Sequence, residues 1–399
     1  MMMRERDHKL VMELFQAYFD ARKNKRNTLN QLAFELELEK NLFALYDEIV
    51  NRCYVPRRSM AFVINRPVKR EIFCADFRDR VIHHLLFNYL NPVLDARFIN
   101  DSYSCRVGRG IHYGQRRLAR AMRACSDNYK EEAWILKLDI QGYFMEMNRQ
   151  LLYDKLCRHM KKPSPRWEGT DMRLVDYLVR QVVFNNPVQG CMVRGSVKDW
   201  EGLPPSKSLF HSPAGCGLPI GNLTSQLFSN VYLHDFDTWM KYNRKLEFYG
   251  RYVDDFYVVH RDKEFLVRLT EEVRDYLRRE EKLTLHPRKF YLQKVEKGVM
   301  YLGIVIKPYY RLPANRTKAN FYEAVRRWNR RLCSGKELSR QEREDFRAQM
   351  NSYFGYLEHY DTMNLQRNVK YNLMNYHLLD LWEEMRMKEK MMNLEKERN

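Results

Sequence analysis

The sequence lacks several features that would assign it to a common class of protein. No run approaches the roughly 20 apolar residues of a membrane span, and the charged start has no apolar segment typical of a signal peptide. The eight cysteines lie far apart, without a CxxC pair or histidines at zinc-ligand spacing. Internal repeats and low-complexity linkers are also absent. We therefore expect a soluble, cytoplasmic protein with reduced thiols and without structural zinc.

Acidic residues are the minority among the charges. The 399-residue chain has 70 Lys and Arg against 51 Asp and Glu, which gives a formal net charge of +19. With 45% hydrophobic residues it is too apolar for a disordered basic tail, and its length allows two or three packed subdomains. A folded basic protein favours a polyanionic partner, either nucleic acid or an acidic membrane surface. A basic protein without such a partner is the alternative at this point.

Local patterns give a mixture of helices and strands. Apolar residues recur at helical spacing in residues 10–19, 38–49 and 81–90. Residues 60–73 have the pattern of a strand hairpin that carries basic side chains. Residues 102–126 contain six arginines and no acid, so nothing inside this segment neutralises its charge. Such a segment is either a solvated helix face or a track for a nucleic-acid backbone.

Three acids interrupt apolar segments that have the length and composition of strands. Asp139 lies near the end of residues 133–140, and Asp254 and Asp255 lie inside residues 248–260. A buried carboxylate is costly unless it is paired, hydrogen-bonded or bound to a metal. Each acid alone is equally explained as a strand-end residue that faces water. Together they are typical of two strands that bring carboxylates to two Mg²⁺ ions, with Mn²⁺ as a substitute, for phosphoryl transfer.

The residues around these acids resemble a known family. Residues 252–255 (YVDD) resemble the YxDD box of reverse transcriptases, and LDIQGYF at 138–144 resembles the first catalytic block of their palm. Further blocks follow in the family's order over most of the chain. They are the fingers blocks around Arg70 and at 102–110, GLPIGNLTSQ at 217–226, the lysine segment 287–289 and YLG at 301–303.

One block narrows the resemblance to a subfamily. Residues 217–226 contain IGNLTSQ, whereas most reverse transcriptases have a Gln-Gly start and a Ser-Pro end here. Together with KSLF at 207–210, this form resembles the enzymes of diversity-generating retroelements. The resemblance implies a right-hand α+β architecture with an antiparallel palm sheet and a helical thumb. We expect the following bounds: fingers 1–125, palm 126–310 with a family-specific insertion at about 161–216, and thumb with C-terminal tail 311–399.

The resemblance also implies a function. Enzymes of this subfamily are error-prone RNA-directed DNA polymerases that copy a template-repeat RNA into cDNA with errors at adenines. The mutated cDNA replaces a variable repeat, a process called mutagenic retrohoming. The implied partners are template RNA, a primer or cDNA strand, dNTPs and a small basic accessory variability protein that is oligomeric, with no membrane. The alternatives are a group II intron-like reverse transcriptase or maturase without a mutagenic role, a palm RNA polymerase and a non-catalytic RNA-binding protein.

The resemblance assigns catalytic roles to residues of this chain. Asp139 and Asp254 are the expected metal ligands, with a backbone carbonyl from Ile140 and with Asp255 as an auxiliary acid. Because alternate strand residues face opposite sides, Asp254 and Asp255 reach one site only near a hairpin turn. Lys289 matches the lysine that donates a proton to pyrophosphate. Neighbouring basic residues leave the register of this lysine open.

Further candidates bind the nucleotide and the nucleic acid. The nucleotide-binding candidates are Arg70 and Lys69 for the triphosphate, Phe144 as a steric gate against a 2′ hydroxyl, and Ile220, Gly221 and Gln226 near the new base pair. The nucleic-acid-binding candidates are Arg106, Arg109, Arg116 and Arg117 in the basic segment, and Tyr301, Leu302 and Gly303 as primer grip. Each has a plain alternative, such as a solvated charge, a core aromatic for Phe144, or a packing change at Ile220 that Gln226 compensates.

Overall fold

The structure is a computed structural model that describes residues 5–23, 28–65, 68–333, 337–375 and 378–383. Its α-helices are α1 (Glu5–Arg22), α2 (Leu29–Leu36), α3 (Leu38–Val50), α4 (Phe77–Arg97), α5 (Ile111–Cys125), α6 (Tyr143–Glu146), α7 (Arg149–Lys161), α8 (Met172–Phe184), α9 (Leu223–Tyr232), α10 (His234–Thr238), α11 (Lys263–Tyr276), α12 (Asn315–Cys333), α13 (Arg340–Leu357) and α14 (Met363–Asn368). Its strands are β1 (Met60–Ile64), β2 (Arg70–Cys74), β3 (Trp134–Ile140), β4 (Met192–Val193), β5 (Tyr249–Tyr252), β6 (Asp255–His260), β7 (Leu285–Lys294), β8 (Val299–Tyr301), β9 (Ile304–Lys307) and β10 (Tyr310–Pro313). This mixture confirms the predicted α+β class.

The strands of the described residues form three sheets. Their orders are β2-β1-β4, β5-β6-β3-β7 and β10-β9-β8. β1 and β2 pair antiparallel with Ile64 opposite Arg70, which confirms the hairpin predicted in residues 60–73. β5 and β6 also pair antiparallel, with Tyr252 opposite Asp255. The second hairpin therefore turns within the YVDD segment.

The chain packs as two compact units. The first comprises residues up to 117 and 136–292, and the second comprises residues 118–135 and those from 293 onward. The predicted boundaries at residues 125 and 310 do not coincide with these limits, and fingers and palm are not separated. The division into fingers, palm and thumb therefore stays a prediction. The predicted tail beyond residue 383 lies outside the described residues.

Helix α4 is the central helix of the first unit. Asp76 is the N-cap of this helix, and its carboxylate accepts a hydrogen bond from the Arg78 backbone N–H at 3.1 Å. The helix is buried along much of its length and packs against α1 and α9. Its His83 lies with Nδ1 2.8 Å from Thr224 Oγ1 of α9. Helix α4 thereby connects the N-terminal helices to the 217–226 block.

The predicted insertion at about 161–216 folds onto the β1–β2 hairpin. Its β4 pairs with β1, and Glu71 of β2 accepts three hydrogen bonds from the insertion. The donors are Trp200 Nε1 at 2.6 Å, Ser208 Oγ at 2.7 Å and the Leu209 backbone N–H at 2.5 Å. Glu71 is only 1% exposed, so no solvent replaces these donors. The insertion is thus an integral layer of the first unit.

The second unit has its own aromatic core. The largest residues of this core are Phe321 and Trp328 of α12, Phe346 and Phe354 of α13, and Trp382. A capping box formed by Ser339 and Glu342 starts α13. Burial of several aromatic side chains in one cluster provides enough apolar area to hold the helices of this unit together.

Two further findings concern membrane-spanning helices and the cysteines. None of the described helices is long and apolar enough to cross a membrane. All eight cysteines are free thiols, and only Cys125 among them is buried.

We expect Glu71→Ala to lower the free energy of unfolding by about 3 kcal/mol, because three donors then lose a buried acceptor. Urea unfolding followed by circular dichroism measures this difference. Glu201→Ala, at an exposed position of the insertion, is the matched control and should change stability by less than about 0.5 kcal/mol. Equal stability of the two variants would contradict the anchoring role of Glu71.

Candidate active site

The three predicted acids lie at the adjoining ends of β3 and the β5–β6 hairpin. Asp139 is the penultimate residue of β3, Val253 and Asp254 form the turn, and Asp255 is the first residue of β6. The Ile140 backbone N–H donates to the Asp254 carbonyl oxygen at 3.1 Å, so the strand end and the turn are directly linked. The hairpin turn required for Asp254 and Asp255 to reach one site is therefore present.

Burial and mutual repulsion raise the pKa values of two of these carboxyl groups. The pKa of Asp254 rises to about 6, first because burial disfavours the charged form and second because of the Asp139 charge. The pKa of Asp255 also rises to about 6 through burial, which the Lys137 ammonium opposes. Lys137 Nζ lies 3.4 Å from Asp255 Oδ2. The site thus carries more negative charge than its own cations neutralise.

Lys289 of β7 contacts the first catalytic candidate directly. Its Nζ lies 2.8 Å from both carboxylate oxygens of Asp139. The lysine side chain is 52% exposed, whereas that of Asp139 is 14% exposed. The ammonium therefore approaches the acid from the solvent side. Of the basic residues in this strand, Lys289 is the one that the structure brings to the acids.

The donor set fits a divalent cation that prefers oxygen ligands. Within the described ranges, no three His, Cys, Asp or Glu side chains already converge as a metal cluster. However, Oδ1 of Asp255 is buried and has no hydrogen-bond partner among the described residues. These carboxylates repel one another, and one buried oxygen lacks a hydrogen bond to any described residue. A bound cation would relieve both unfavourable interactions.

The 217–226 block is fixed against strand β2 by hydrogen bonds. The Phe73 backbone N–H donates to the Ile220 carbonyl at 2.9 Å, and the Ala75 N–H donates to Asn222 Oδ1 at 3.2 Å. Gly221 has φ +130°, and a Cβ there would lie 2.8 Å from the Phe73 carbonyl oxygen. Only glycine permits this close approach. The block and β2 therefore form one rigid surface.

Phe144 and Ile220 contribute to a common apolar cluster. Both are partly buried against a core that contains Phe73 and Leu209. Phe144 lies on the short helix α6, and its carbonyl accepts a hydrogen bond from the Leu218 N–H at 2.7 Å. The cluster therefore joins the chain that follows Asp139 to the 217–226 block. Gln226, in contrast, is exposed on α9.

The two basic residues at the start of β2 have different surroundings. Lys69 Nζ donates to the Glu201 carbonyl at 2.6 Å and is thus bound to the insertion. Arg70 is exposed, and its side chain has no hydrogen bond or ion pair to any described residue. Its charge opposes the rise that burial causes in the pKa of Tyr252, so the guanidinium lies near the YVDD segment. Of the two residues, Arg70 is therefore the one whose charged group is free to bind a ligand.

Residues 68–306 match the family model described as reverse transcriptase (RNA-dependent DNA polymerase). This range is more than half of the chain. The chain belongs to the reverse transcriptase family. Its matched domain is that of an RNA-directed DNA polymerase, which is a nucleotidyltransferase.

Several known proteins and solved structures are similar to this chain. Protein YkfC of Escherichia coli (strain K12) is 21% identical over 309 residues, which are 69% of this chain and 73% of YkfC. Telomerase from Candida albicans, in complex with a TWJ fragment of telomeric RNA, matches 72% of this chain with TM-score 0.44 and 11% identity. Apo telomerase from Candida tropicalis matches 63% with TM-score 0.43 and 9% identity. The matched regions cover 50% and 47% of these telomerase chains, so this reverse transcriptase spans about half their length.

Arg106 has an internal role in this reverse transcriptase. Its Nε and Nη2 donate to Oδ1 and the carbonyl of Asp95, at 2.5 and 2.8 Å. Its Nη1 donates to the carbonyls of Ile99 and Ser102, at 2.7 and 2.9 Å. The side chain is buried, and its guanidinium is bound within the protein. These contacts make Arg106 a weaker candidate for binding nucleic acid than the other arginines of the segment.

The other three predicted arginines are more accessible. Arg109 is partly exposed, and its guanidinium donates to the carbonyl and side chain of Asn100. Arg117 forms a two-point ion pair with the buried Asp101, at 2.7 and 3.1 Å. Arg116 is exposed and has no ion pair or hydrogen bond to a described side chain. The basic segment is therefore partly internal and partly available.

The predicted primer-grip residues form the β8–β9 turn of the second unit. Leu302 and Gly303 both have positive φ, 47° and 83°, as a tight two-residue hairpin requires. The Gly303 carbonyl accepts hydrogen bonds from Tyr356 Oη at 3.2 Å and from the Ala314 N–H at 3.0 Å. Tyr301 is buried at the base of this turn. The turn thus has a defined conformation within its unit.

Sequence reasoning missed three charged residues of this site. Lys137 and Arg251 lie in the same apolar strands that drew attention to the acids. The argument that a buried charge needs a partner applies to basic side chains as well, and it would have found both. Glu71 shares a face of β2 with Phe73 by strand alternation, which was the available signal for its burial.

We expect Asp254→Asn to stabilise the metal-free protein at neutral pH. The folded-state pKa of about 6 exceeds the ordinary value of 3.8, so the folded protein holds a proton that the unfolded chain releases. Stability therefore falls as pH rises from about 4 to about 6. An uncharged asparagine avoids this loss of stability, which amounts to about 3 kcal/mol above pH 7. The gain should vanish below about pH 4.

Urea unfolding at several pH values in the presence of a chelator measures this gain. Asp262→Asn is the control, because Asp262 is exposed and its pKa is lowered by the Phe265 backbone N–H. This control should show no gain at any pH. A gain for Asp254→Asn that is the same at acidic and neutral pH would refute the electrostatic explanation.

Proposed function

We propose that this chain synthesises DNA on an RNA template. The observation that carries the proposal is the convergence of Asp139, the Asp254–Asp255 turn and Lys289 at one sheet end within a reverse transcriptase domain. Two carboxylates with a nearby ammonium suit phosphoryl transfer, in which catalysis consists mainly of positioning and charge stabilisation.

The acids would hold the metal ions of the reaction. Asp139 and Asp254 would bind two Mg²⁺ ions, or Mn²⁺ in their place, with the Ile140 carbonyl as a further ligand and Asp255 as an auxiliary acid. When bound, the ions supply charge stabilisation for in-line attack of a primer 3′ hydroxyl on the incoming nucleotide. The raised pKa values and the free buried oxygen of Asp255 support this assignment.

Basic residues would handle the triphosphate. Arg70, with its free guanidinium near Tyr252, would bind phosphate oxygens at two points. Lys69 is a weaker candidate because its amine is bound to the insertion. Lys289 would donate a proton to the departing pyrophosphate. Its ion pair with Asp139 keeps the charged amine at the solvent side of the site.

The remaining surfaces would hold the polynucleotides. Phe144 would exclude a 2′ hydroxyl through its ring, and Gly221 and Gln226 would lie near the new base pair. Arg109, Arg116 and Arg117 would contact the phosphate backbone, the first and third while keeping their internal hydrogen bonds. The turn at residues 301–303 would bind the primer.

The expected test is primer extension on a defined RNA template with purified protein, dNTPs and Mg²⁺. The wild-type protein should extend the primer, and Asp254→Ala should reduce the rate by at least about 1,000-fold while leaving the protein folded. Glu264→Ala replaces an exposed acid of α11 and should retain full activity. Extension by Asp254→Ala at the control rate would refute the assignment, and no extension by the wild type would refute the proposed function.

We further infer that the polymerase serves targeted diversification, as in diversity-generating retroelements. The supporting observation is Ile220, which lies in the apolar cluster with Phe144 and offers no hydrogen bond from its side chain. A site that checks pairing only by shape discriminates less than one that also requires a hydrogen bond. The substrate would be a template-repeat RNA, and the partner a small basic accessory protein. A cytoplasmic location belongs to the same proposal.

We expect Ile220→Gln to lower misincorporation opposite template adenines by about tenfold, because a polar group can then check the pair. Sequencing of cDNA made on an adenine-rich RNA, with and without an accessory-protein candidate, measures the error spectrum. Ile220→Leu keeps an apolar side chain of similar volume and should leave the spectrum unchanged. Uniformly accurate copying by the wild type would favour the group II intron-like alternative.

A further inference from the structure

Arg251 and Asp237 form a fully buried ion pair beside the candidate catalytic turn. Both side chains are essentially inaccessible, at 0% and 1% exposure. Arg251 Nε and Nη2 donate to the two carboxylate oxygens of Asp237, at 2.7 and 2.6 Å. Tyr249 Oη donates to the same carboxylate at 2.6 Å. The guanidinium is therefore held in one orientation, edge-on to the acid.

The remaining guanidinium nitrogen is directed at the turn. Arg251 Nη1 donates to the carbonyl oxygen of Val253 at 2.8 Å. Val253 has φ +58°, which a β-branched residue rarely adopts. Hairpin turns of two residues that need positive φ at this position usually have glycine there. A valine in this conformation persists only where its surroundings impose it.

The backbone of Arg251 is also fixed on both sides of β5. Its N–H donates to the Asp101 carbonyl at 2.9 Å, and its own carbonyl accepts from the Tyr103 N–H at 3.0 Å. Phe256 of β6 lies opposite it across the hairpin. Since neither its backbone nor its guanidinium can follow a movement of the turn, Arg251 acts as a fixed point.

We propose that Arg251 is a positioning residue, which holds the Val253–Asp254 turn in its strained conformation and thereby places Asp254 beside Asp139. The inference rests on the proposed polymerase function. Without this hydrogen bond, Val253 would relax toward negative φ, and the peptide that carries Asp254 would rotate. The link between Ile140 and the Asp254 carbonyl would then be strained as well.

The alternative is that the ion pair only stabilises the fold. A buried pair of this kind often contributes little net stability, although removal of one partner is destabilising. The two explanations differ in what restores activity. A residue that tolerates positive φ at position 253 should compensate for a lost positioning contact, but not for a lost contribution to folding.

The test begins with Arg251→Lys, which keeps a cation for Asp237. A single amine cannot reproduce both the two-point ion pair and the contact with the Val253 carbonyl. The rate of single-nucleotide addition at saturating dNTP should fall at least about tenfold, while KM for dNTP and primer–template affinity change less than about twofold. Addition of Val253→Asn should restore most of the rate, because asparagine tolerates positive φ.

A second buried ion pair provides the control. Lys155 Nζ contacts Glu281 and the Tyr232 carbonyl rather than the turn. Lys155→Met/Glu281→Gln should therefore lower the melting temperature without changing the rate per folded molecule. If Arg251→Lys does not fold, the uncharged pair Arg251→Met/Asp237→Asn replaces it, and it should show the same loss and the same rescue.

The outcomes separate the two proposals. A wild-type rate in folded Arg251→Lys, or a loss that Val253→Asn does not restore, would overturn the positioning role. Failure of the wild-type protein to extend any primer would instead overturn the proposed function. Thermal unfolding of every variant, measured under the assay conditions, distinguishes a change in rate from a change in the folded fraction.

Discussion

Burial of neighbouring carboxylates at one sheet end is the constraint on which the candidate site depends. Asp139, Asp254 and Asp255 lie at one sheet end, where burial raises the pKa values of the latter two. Lys137 and Lys289 do not neutralise all three negative charges, because each ammonium contacts only one of the acids. The acids therefore stay together because the backbone holds them. The antiparallel hairpin and the hydrogen bond from Ile140 to Asp254 supply that restraint.

Local patterns in the sequence predicted much of this site. Strands β3 and β6 are mostly apolar, so the burial of an acid within them has an energetic cost that needs a reason. The β1–β2 hairpin and helices α1, α3 and α4 follow from local patterns in the same way. Contacts between distant segments were not predictable from these patterns. Glu71 meets donors more than 120 positions away, and no local pattern specifies such a partner.

The number of basic residues in the sequence is larger than the number available to contact nucleic acid. The guanidinium groups of Arg106 and Arg251 and the amine of Lys155 bind partners inside the protein. The sequence neighbourhood of Arg106 resembles that of the exposed Arg116, since both residues lie in the arginine-rich segment 102–126. What differs is the presence of Asp95 or Asp237 at a matching position in the fold. Charge counting therefore identified a class of partner, whereas burial decides which residues can contact it.

Ile220 stands where most reverse transcriptases have glutamine, and its surroundings include the insertion. Ile220 and Phe144 pack on a core that includes Leu209, and the Leu209 backbone N–H is held by Glu71. The same strand β2 carries Arg70 at its start and contacts the Ile220 carbonyl through Phe73. A shift of the insertion would therefore reach Phe144, Ile220 and Arg70 at once, which are the residues proposed for the gate, the base pair and the triphosphate. Under the proposed function, selectivity is accordingly a property of the whole packed cluster, with the insertion as one of its structural determinants.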